Sequence, residues 1–236
     1  MATFDHAGAG VRPEQWVSPT GRRRVLTRLD GLEGRRYAAA VRAAFPDADL
    51  TLSALVFAGR SRPGGVRHPW PQEREAWRRA VRQVSRRAPL MAAADVRDCY
   101  PSIRERAVVA ASRRVGGNPD LLLAHLRRYR DLGIDGLPVG PLASAVAANA
   151  VLAIADDAAR TAGILPVRWV DDVVFAGART DVARAHNAWR TALRELGLRD
   201  NEAKSRRFHD PDEAIESLHA GGSLAEARSR GIIRRS

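Results

Sequence analysis

Residues 166–177 read PVRWVDDVVFAG, two short runs rich in β-branched and aromatic residues on either side of the adjacent acids Asp171 and Asp172. Runs of this kind favour a half-buried pleated surface, whereas paired carboxylates resist burial. The spacing predicts a β-hairpin, with PVRWV and VVFAG as strands and a two-residue turn at Asp171–Asp172. Asp is tolerated in such a turn, though less favoured than Asn-Gly. Two like charges at the tip drive one of them towards protonation unless cations bind. Hard Mg²⁺ suits such a place, since it takes one or two carboxylates plus substrate phosphates. Two such ions about 3.5–4 Å apart can clamp the attacking and leaving oxygens of an in-line phosphoryl displacement. A third carboxylate on a neighbouring strand would complete the site, and Asp95 closes the apolar run PLMAAADV (89–96). From these residues alone, a solvated Asp-Asp loop is the alternative. The doublet Asp156–Asp157, inside a helical run, reads as a surface face.

The rest of the chain supplies an α+β pattern around that hairpin. Residues 1–20 are punctuated by Gly and Pro without a sustained period and read as an irregular arm. RVLTRL reads as a short basic strand, followed by a helix on which Tyr37, Val41 and Phe45 recur every four residues. A basic loop at 58–70 leads to a helix at 73–88 with Trp77, Val81 and Val84 inward and arginines outward. Helices follow around 104–115 and 119–130, separated by Gly116, Gly117 and Pro119. After a GLPVG loop (136–140) comes an alanine-rich helix at 141–160, and beyond the hairpin a helix at 180–196 and a polar tail.

Composition narrows the partners. The 39 basic residues outnumber the 27 acidic ones, leaving a net charge of +12, which points to a polyanionic partner, nucleic acid before membrane surface. The single cysteine, Cys99, excludes an internal disulfide framework and a cysteine-based zinc site, as suits a reducing compartment. The longest nearly apolar run, 144–155, is shorter than the roughly 18–20 residues of a membrane span and carries Asn149 at its middle. The first residues lack the basic start and apolar segment of a signal peptide. A cytoplasmic protein with no membrane partner is expected.

In four places, and in order, the sequence resembles reverse transcriptases. DVRDCYPSI (95–103) looks like the first palm motif, an Asp followed five residues later by an aromatic, here Tyr100. GLPVGPLASAVAAN (136–149) is similar to GLPQGSPLSPLLAN, with Ser144 and Asn149 in step. WVDD (169–172) corresponds to the YxDD signature, and LGLRDNEAKS (196–205) resembles the LGLxLNxxKT segment, bringing Lys204 into register with the family's lysine. The Pro-Ser-Ile continuation after Tyr100 is in the style of bacterial members.

The resemblance implies a right-hand polymerase fold of fingers and palm, with an antiparallel palm sheet of the RRM or ferredoxin-like type and a thumb that is reduced or absent. By segment it implies an arm at 1–20, a fingers-like part at 21–88, a palm at 89–207 and a vestigial thumb or basic tail at 208–236. The implied activity is RNA-directed DNA synthesis from dNTPs on an RNA template and DNA primer, with two Mg²⁺ ions, or Mn²⁺ in their place. Asp95, Asp171 and Asp172 would be metal ligands and catalytic residues. Tyr100 would sit under the sugar of the incoming nucleotide, with Val96, Gly140, Ser144 and Asn149 also on the nucleotide side. Lys204 would be a general acid for the leaving pyrophosphate. Apart from the family, Lys204 is the chain's only lysine, so an ammonium stands here where arginine supplies every other cationic side chain outside the histidines; lysine, unlike arginine, can release its proton near neutral pH when its surroundings shift it.

Two residues depart from the family pattern, Val139 for the glutamine of GLPQG and Trp169 for the tyrosine of YxDD. Only 32 residues follow Lys204, so low processivity is expected unless a partner protein, a second copy or a structured RNA supplies the grip on the duplex. Compact members of this kind are associated with phage defence or retroelements. A catalytically idle palm acting as an RNA-binding scaffold, a two-metal nuclease and a template-independent terminal transferase stand as alternatives.

Overall fold

The computed structural model describes residues 10–17, 23–46, 52–59 and 70–219. In chain order these form strands β1 (Val11–Val17) and β2 (Arg23–Leu29), helix α1 (Gly31–Ala44), strand β3 (Val56–Phe57), helix α2 (Trp70–Ser85) and strand β4 (Leu90–Asp95). Helices α3 (Cys99–Ser102), α4 (Glu105–Arg114), α5 (Asp120–Asp131) and α6 (Leu142–Thr161) follow. Strands β5 (Val167–Trp169) and β6 (Asp172–Gly177), helix α7 (Arg179–Glu195), strand β7 (Arg206–Phe208) and helix α8 (Pro211–His219) complete the series. The protein is α+β.

Five strands form one sheet in the order β3-β5-β6-β4-β7. β4, β5, β6 and β7 pair antiparallel, while β3 adds at the β5 edge in parallel. Four of these strands, with the helices between β4 and β5 and helix α7 between β6 and β7, follow the β-α-β-β-α-β order of a split βαβ unit. The sheet is therefore antiparallel across that unit and mixed overall.

Strand β4 explains why the sheet can be central. Every residue of LMAAAD is buried, the near-continuous apolar pattern of a strand covered on both faces. Leu90, Ala92, Ala94, Val173 and Phe175 belong to the larger core, with Tyr37 of α1, Val108 of α4, Leu122 of α5, Val151 of α6 and Trp189 of α7. The alternate residues Met91, Ala93, Val167, Trp169 and Val174 belong to a second core, with Trp77 and Val81 of α2 and Ala214, Ile215 and Leu218 of α8. The strand period of two divides the side chains between the two layers.

Helix α6 is apolar nearly all round because it runs through the larger core. It has the length and composition to cross a membrane, but 67% of its most apolar window is buried inside the fold. Glu33 on α1 is buried too, accepting from Tyr129 Oη at 2.6 Å and pairing with Arg128 and with His125 at 3.0 Å. This ties α1 to α5 beside Tyr37.

Four expectations from the sequence need correction. Residues 11–17, expected within an irregular arm, form β1, paired antiparallel along its whole length with β2 from Val11↔Leu29 to Val17↔Arg23. Its sequence, VRPEQWV, is a poor strand by propensity, and the ladder with β2 decides its conformation. The hairpin turn is Val170–Asp171, not Asp171–Asp172: Trp169 pairs with Asp172, which is already the first residue of β6. Asp156 is 5% exposed rather than part of a surface face, because the buried Arg168 pairs with it at 2.8 Å; Asp157 alone reaches the surface, paired with Arg114. The polar tail begins with β7, which pairs antiparallel with β4, and α8, which lies on the sheet beside α2 and pairs Asp212 with Arg82 at 2.8 Å. Most of the expected basic loop at 58–70, residues 1–9 of the arm and residues 220–236 lie outside the described residues.

Trp77 is fully buried and meets Trp169 with ring centroids 6.3 Å apart. Trp77→Ala is expected to lower unfolding stability by about 3–5 kcal/mol, read from the denaturant midpoint at unchanged slope.

Candidate active site

The two central strands bring acids together by register. Asp95 closes β4 and Asp172 opens β6, and the two are direct cross-strand partners. They share the strand parity of Met91, Ala93 and Val174, so they stand at the end of the sheet face that α2 and α8 cover farther along. Asp171 precedes them in the turn, and the Val96 amide donates to its carbonyl at 3.2 Å, joining the end of β4 to the hairpin tip.

A second segment closes on Asp95. The Lys204 ammonium lies 2.6 Å from its Oδ2, the Asn201 side-chain amide donates to its Oδ1 at 2.9 Å, and the Asn201 backbone amide donates to its carbonyl at 2.7 Å. Lys204 is positioned by a turn in which its amide donates to the Asn201 carbonyl at 2.9 Å. Asp200, paired with Arg190 of α7 at 2.9 Å and bridged to Val96, anchors that turn. Lys204 keeps about a third of its side chain exposed.

Asp172 is the electrostatically loaded member. Burial pushes its carboxyl well above the usual carboxylate range, the charges of Asp171 and Asp95 push it further, and Lys204 pulls it back. Its Oδ1 is shut off from solvent without a hydrogen-bond partner among the described residues. The donor set is entirely oxygen, which suits a hard divalent ion rather than a soft one. An unpartnered buried carboxylate oxygen among like charges also fits such a ion's ligand, although no group of three or more His, Cys, Asp or Glu side chains among the described residues is already arranged to hold a metal. The Lys204 ammonium sits on one of the oxygens that an ion would need.

Around the acids, the structure gathers some of the expected nucleotide-side residues and not others. Tyr100, on α3, is partly buried; burial raises its phenol well above its ordinary value, and the Asp171 charge adds to this. Its carbonyl accepts from the Leu137 amide at 2.8 Å. Gly136 lies so close that a Cβ there would stand 2.4 Å from the Pro101 carbonyl oxygen, at a φ of +59°, so glycine is required for this crossing. Val139 in the same loop accepts from the Thr27 amide at 2.7 Å, docking the β1–β2 hairpin beside Gly140. Val96 contributes its backbone and is buried. Ser144 and Asn149 are fully buried, Ser144 hydrogen-bonded to the Tyr37 hydroxyl at 3.0 Å and Asn149 donating to the Ala58 carbonyl at 2.6 Å. Their side chains lie in the interior and support α1, β3 and α6.

Two contributors escaped the sequence reading. Asn201, three residues before Lys204, holds Asp95 from the side opposite the ammonium's oxygen. Arg168 is fully buried behind the hairpin, with Nε on Asp156 Oδ2 at 2.8 Å and Nη1 on both Asn149 Oδ1 at 2.7 Å and the Val170 carbonyl at 2.8 Å. The signal for it was present: one arginine in the otherwise apolar run PVRWV requires a buried partner. Among the described residues, the non-glycine residues with positive φ are Ala58, Asp98 and Val170, at +65°, +44° and +52°. Left-handed backbone costs of order 1–3 kcal/mol per non-glycine residue, and Ala58 and Val170 are both held by the Arg168–Asn149 network.

No protein-family model matches the chain, and no curated protein matches it.

Because its folded carboxyl takes up a proton more readily than the unfolded one, Asp172 weighs against folding while it is charged, and stability recovers as pH falls through its raised folded pKa. Asp172→Asn is therefore expected to raise the melting temperature near neutral pH by about 2–4 °C, the shift that roughly 1 kcal/mol produces in a chain of this size. The gain should shrink as the pH is taken below that raised pKa and vanish below the ordinary carboxylate range, in melting curves recorded across the acid range.

Proposed function

We propose that the protein is a template-directed nucleotidyltransferase of right-hand polymerase type, acting as an RNA-directed DNA polymerase. The observation that carries this reading is the cross-strand pair Asp95–Asp172, with Asp171 in the adjoining turn and Lys204 in contact with Asp95, at the end of a split βαβ sheet. The four motif resemblances meet in the same neighbourhood: Tyr100 follows Asp95, and the Gly136–Gly140 loop crosses the Tyr100–Pro101 backbone.

In this reading Asp95, Asp171 and Asp172 hold Mg²⁺, which when bound lowers the pKa of the primer 3′-hydroxyl and neutralises charge on the triphosphate. The protein's own residues do the positioning. The β4–β6 ladder fixes two of the carboxylates at adjacent strand ends. Asn201 orients Asp95 by donating to its Oδ1. Lys204, which can move because its side chain is partly exposed, leaves Asp95 to meet the triphosphate and gives a proton to the departing pyrophosphate. Tyr100 lies beneath the nucleotide sugar, where a 2′-hydroxyl would clash and deoxynucleotides are preferred. Gly140, in the loop beside Tyr100, lets the template–nucleotide pair approach the backbone. The arginine surplus supplies phosphate contacts to RNA template and DNA primer.

One observation favours a second reading. Lys204 already neutralises Asp95, as it would in an RNA-binding palm that has no need of a metal.

Primer extension separates the two. With Mg²⁺, dNTPs and a primed RNA template, the protein is expected to incorporate nucleotides complementary to the template, and incorporation should fall at least 100-fold in Asp171→Ala/Asp172→Ala. Incorporation that persists without template would identify a terminal transferase; RNA binding with no incorporation in Mg²⁺ or in Mn²⁺ would favour the scaffold.

A further inference from the structure

The turn that carries Asp171 is built from an unfavourable residue and held from behind. Val170 is β-branched and adopts a φ of +52°, at the first position of a two-residue hairpin turn where glycine is the usual occupant of left-handed backbone. Its carbonyl accepts from Arg168 Nη1 at 2.8 Å. That carbonyl belongs to the peptide plane joining residues 170 and 171, so its direction sets the direction in which Asp171 leaves the turn.

Arg168 itself cannot drift. Its guanidinium is fully buried, with Nε on Asp156 Oδ2 at 2.8 Å, Nη1 on Asn149 Oδ1 at 2.7 Å and Nη2 on the Asn149 carbonyl at 3.3 Å, all on helix α6. Its own amide donates to the Leu55 carbonyl at 2.9 Å next to β3. The planar fork thus takes its bearing from α6 and passes it to the hairpin tip through one hydrogen bond, which an ammonium at the end of a flexible stem cannot reproduce while also pairing with Asp156.

We propose that Arg168 is a positioning residue that holds Val170 in its left-handed conformation and so presents the Asp171–Asp172 carboxylates for a divalent cation. The inference rests on the cation-binding part of the proposed function. It assigns to a buried guanidinium a role that no contact with substrate would reveal.

Mn²⁺ binding to the full chain, followed by loss of the free-ion signal in electron paramagnetic resonance, tests it without reference to activity. Arg168→Lys keeps the charge beside Asp156 and is expected to weaken Mn²⁺ binding about tenfold. Adding Val170→Gly to that variant supplies a residue that enters left-handed backbone without cost and should restore most of the affinity, although it repairs nothing in the buried ion pair. If Arg168→Lys does not fold, Asp156→Asn, which loosens the guanidinium at Nε without changing its shape, should show the same loss and the same rescue. Mn²⁺ affinity equal to wild type in the folded variant, or a loss that Val170→Gly leaves untouched, overturns the positioning role. Absence of Mn²⁺ binding in the wild-type chain would instead overturn the cation site on which the proposed function rests.

Discussion

The ladder between β4 and β6 is the constraint from which the rest of the site follows. It commits the backbone of both strands to each other from Leu90↔Gly177 to Asp95↔Asp172, and a slip of one residue would send every side chain to the opposite face. Because both faces are covered by helices, such a slip would also exchange the residues of two packed cores. The apolar register therefore holds two carboxylates opposite each other, against their mutual repulsion. Packing of Ala92, Ala93 and Ala94 against helices on both sides fixes the position of the carboxylates at the strand ends.

Among the described residues, the repulsion between Asp95 and Asp172 is relieved on the Asp95 side. Segment 200–204 gives Asp95 both an ammonium and an amide, while Asp172 keeps a buried oxygen with no partner among the described residues. An acid pair solely structural in purpose would gain from satisfying both members, since a buried carboxylate without a partner costs more than a pair contributes. The uneven treatment is the arrangement expected of a place where stability is given up for binding, and it locates the unpartnered oxygen at Asp172 rather than at Asp95.

Much of this was legible in the sequence, and the failures share a cause. The helices carrying Tyr37, Trp77 and the alanine-rich run show their period directly, and an acid at the end of an apolar run marks Asp95. The turn was misplaced by one residue because local rules disfavour valine in left-handed backbone and tolerate aspartate. The competing terms are the pairing of Asp172 with the distant Asp95 and the hydrogen bond to the Val170 carbonyl from Arg168, whose guanidinium is itself fixed by Asn149 and Asp156 on another element. Asp156 was misread for a similar reason: its helical period says surface, and only a partner twelve residues later on another element permits its burial. β1 likewise owes its strand to β2, not to VRPEQWV. Asn201 differs: it falls on the asparagine of the LGLxLNxxKT pattern, but nothing in the local sequence says that its side chain reaches Asp95.

The choice of lysine at 204 completes the electrostatic argument. An arginine on Asp95 could engage both carboxylate oxygens in a planar fork and would leave no oxygen for Asn201 or for an ion. The ammonium takes one oxygen, leaves the other to the Asn201 amide, and sits on a partly exposed four-carbon stem that can swing away at the loss of a single charge-assisted hydrogen bond. In a chain whose other cationic side chains apart from histidine are all arginine, the position that contacts Asp95 at the sheet end thus carries the side chain that a competing cation displaces most easily. The fold can keep Asp95 neutralised in the absence of an ion without closing the site to one.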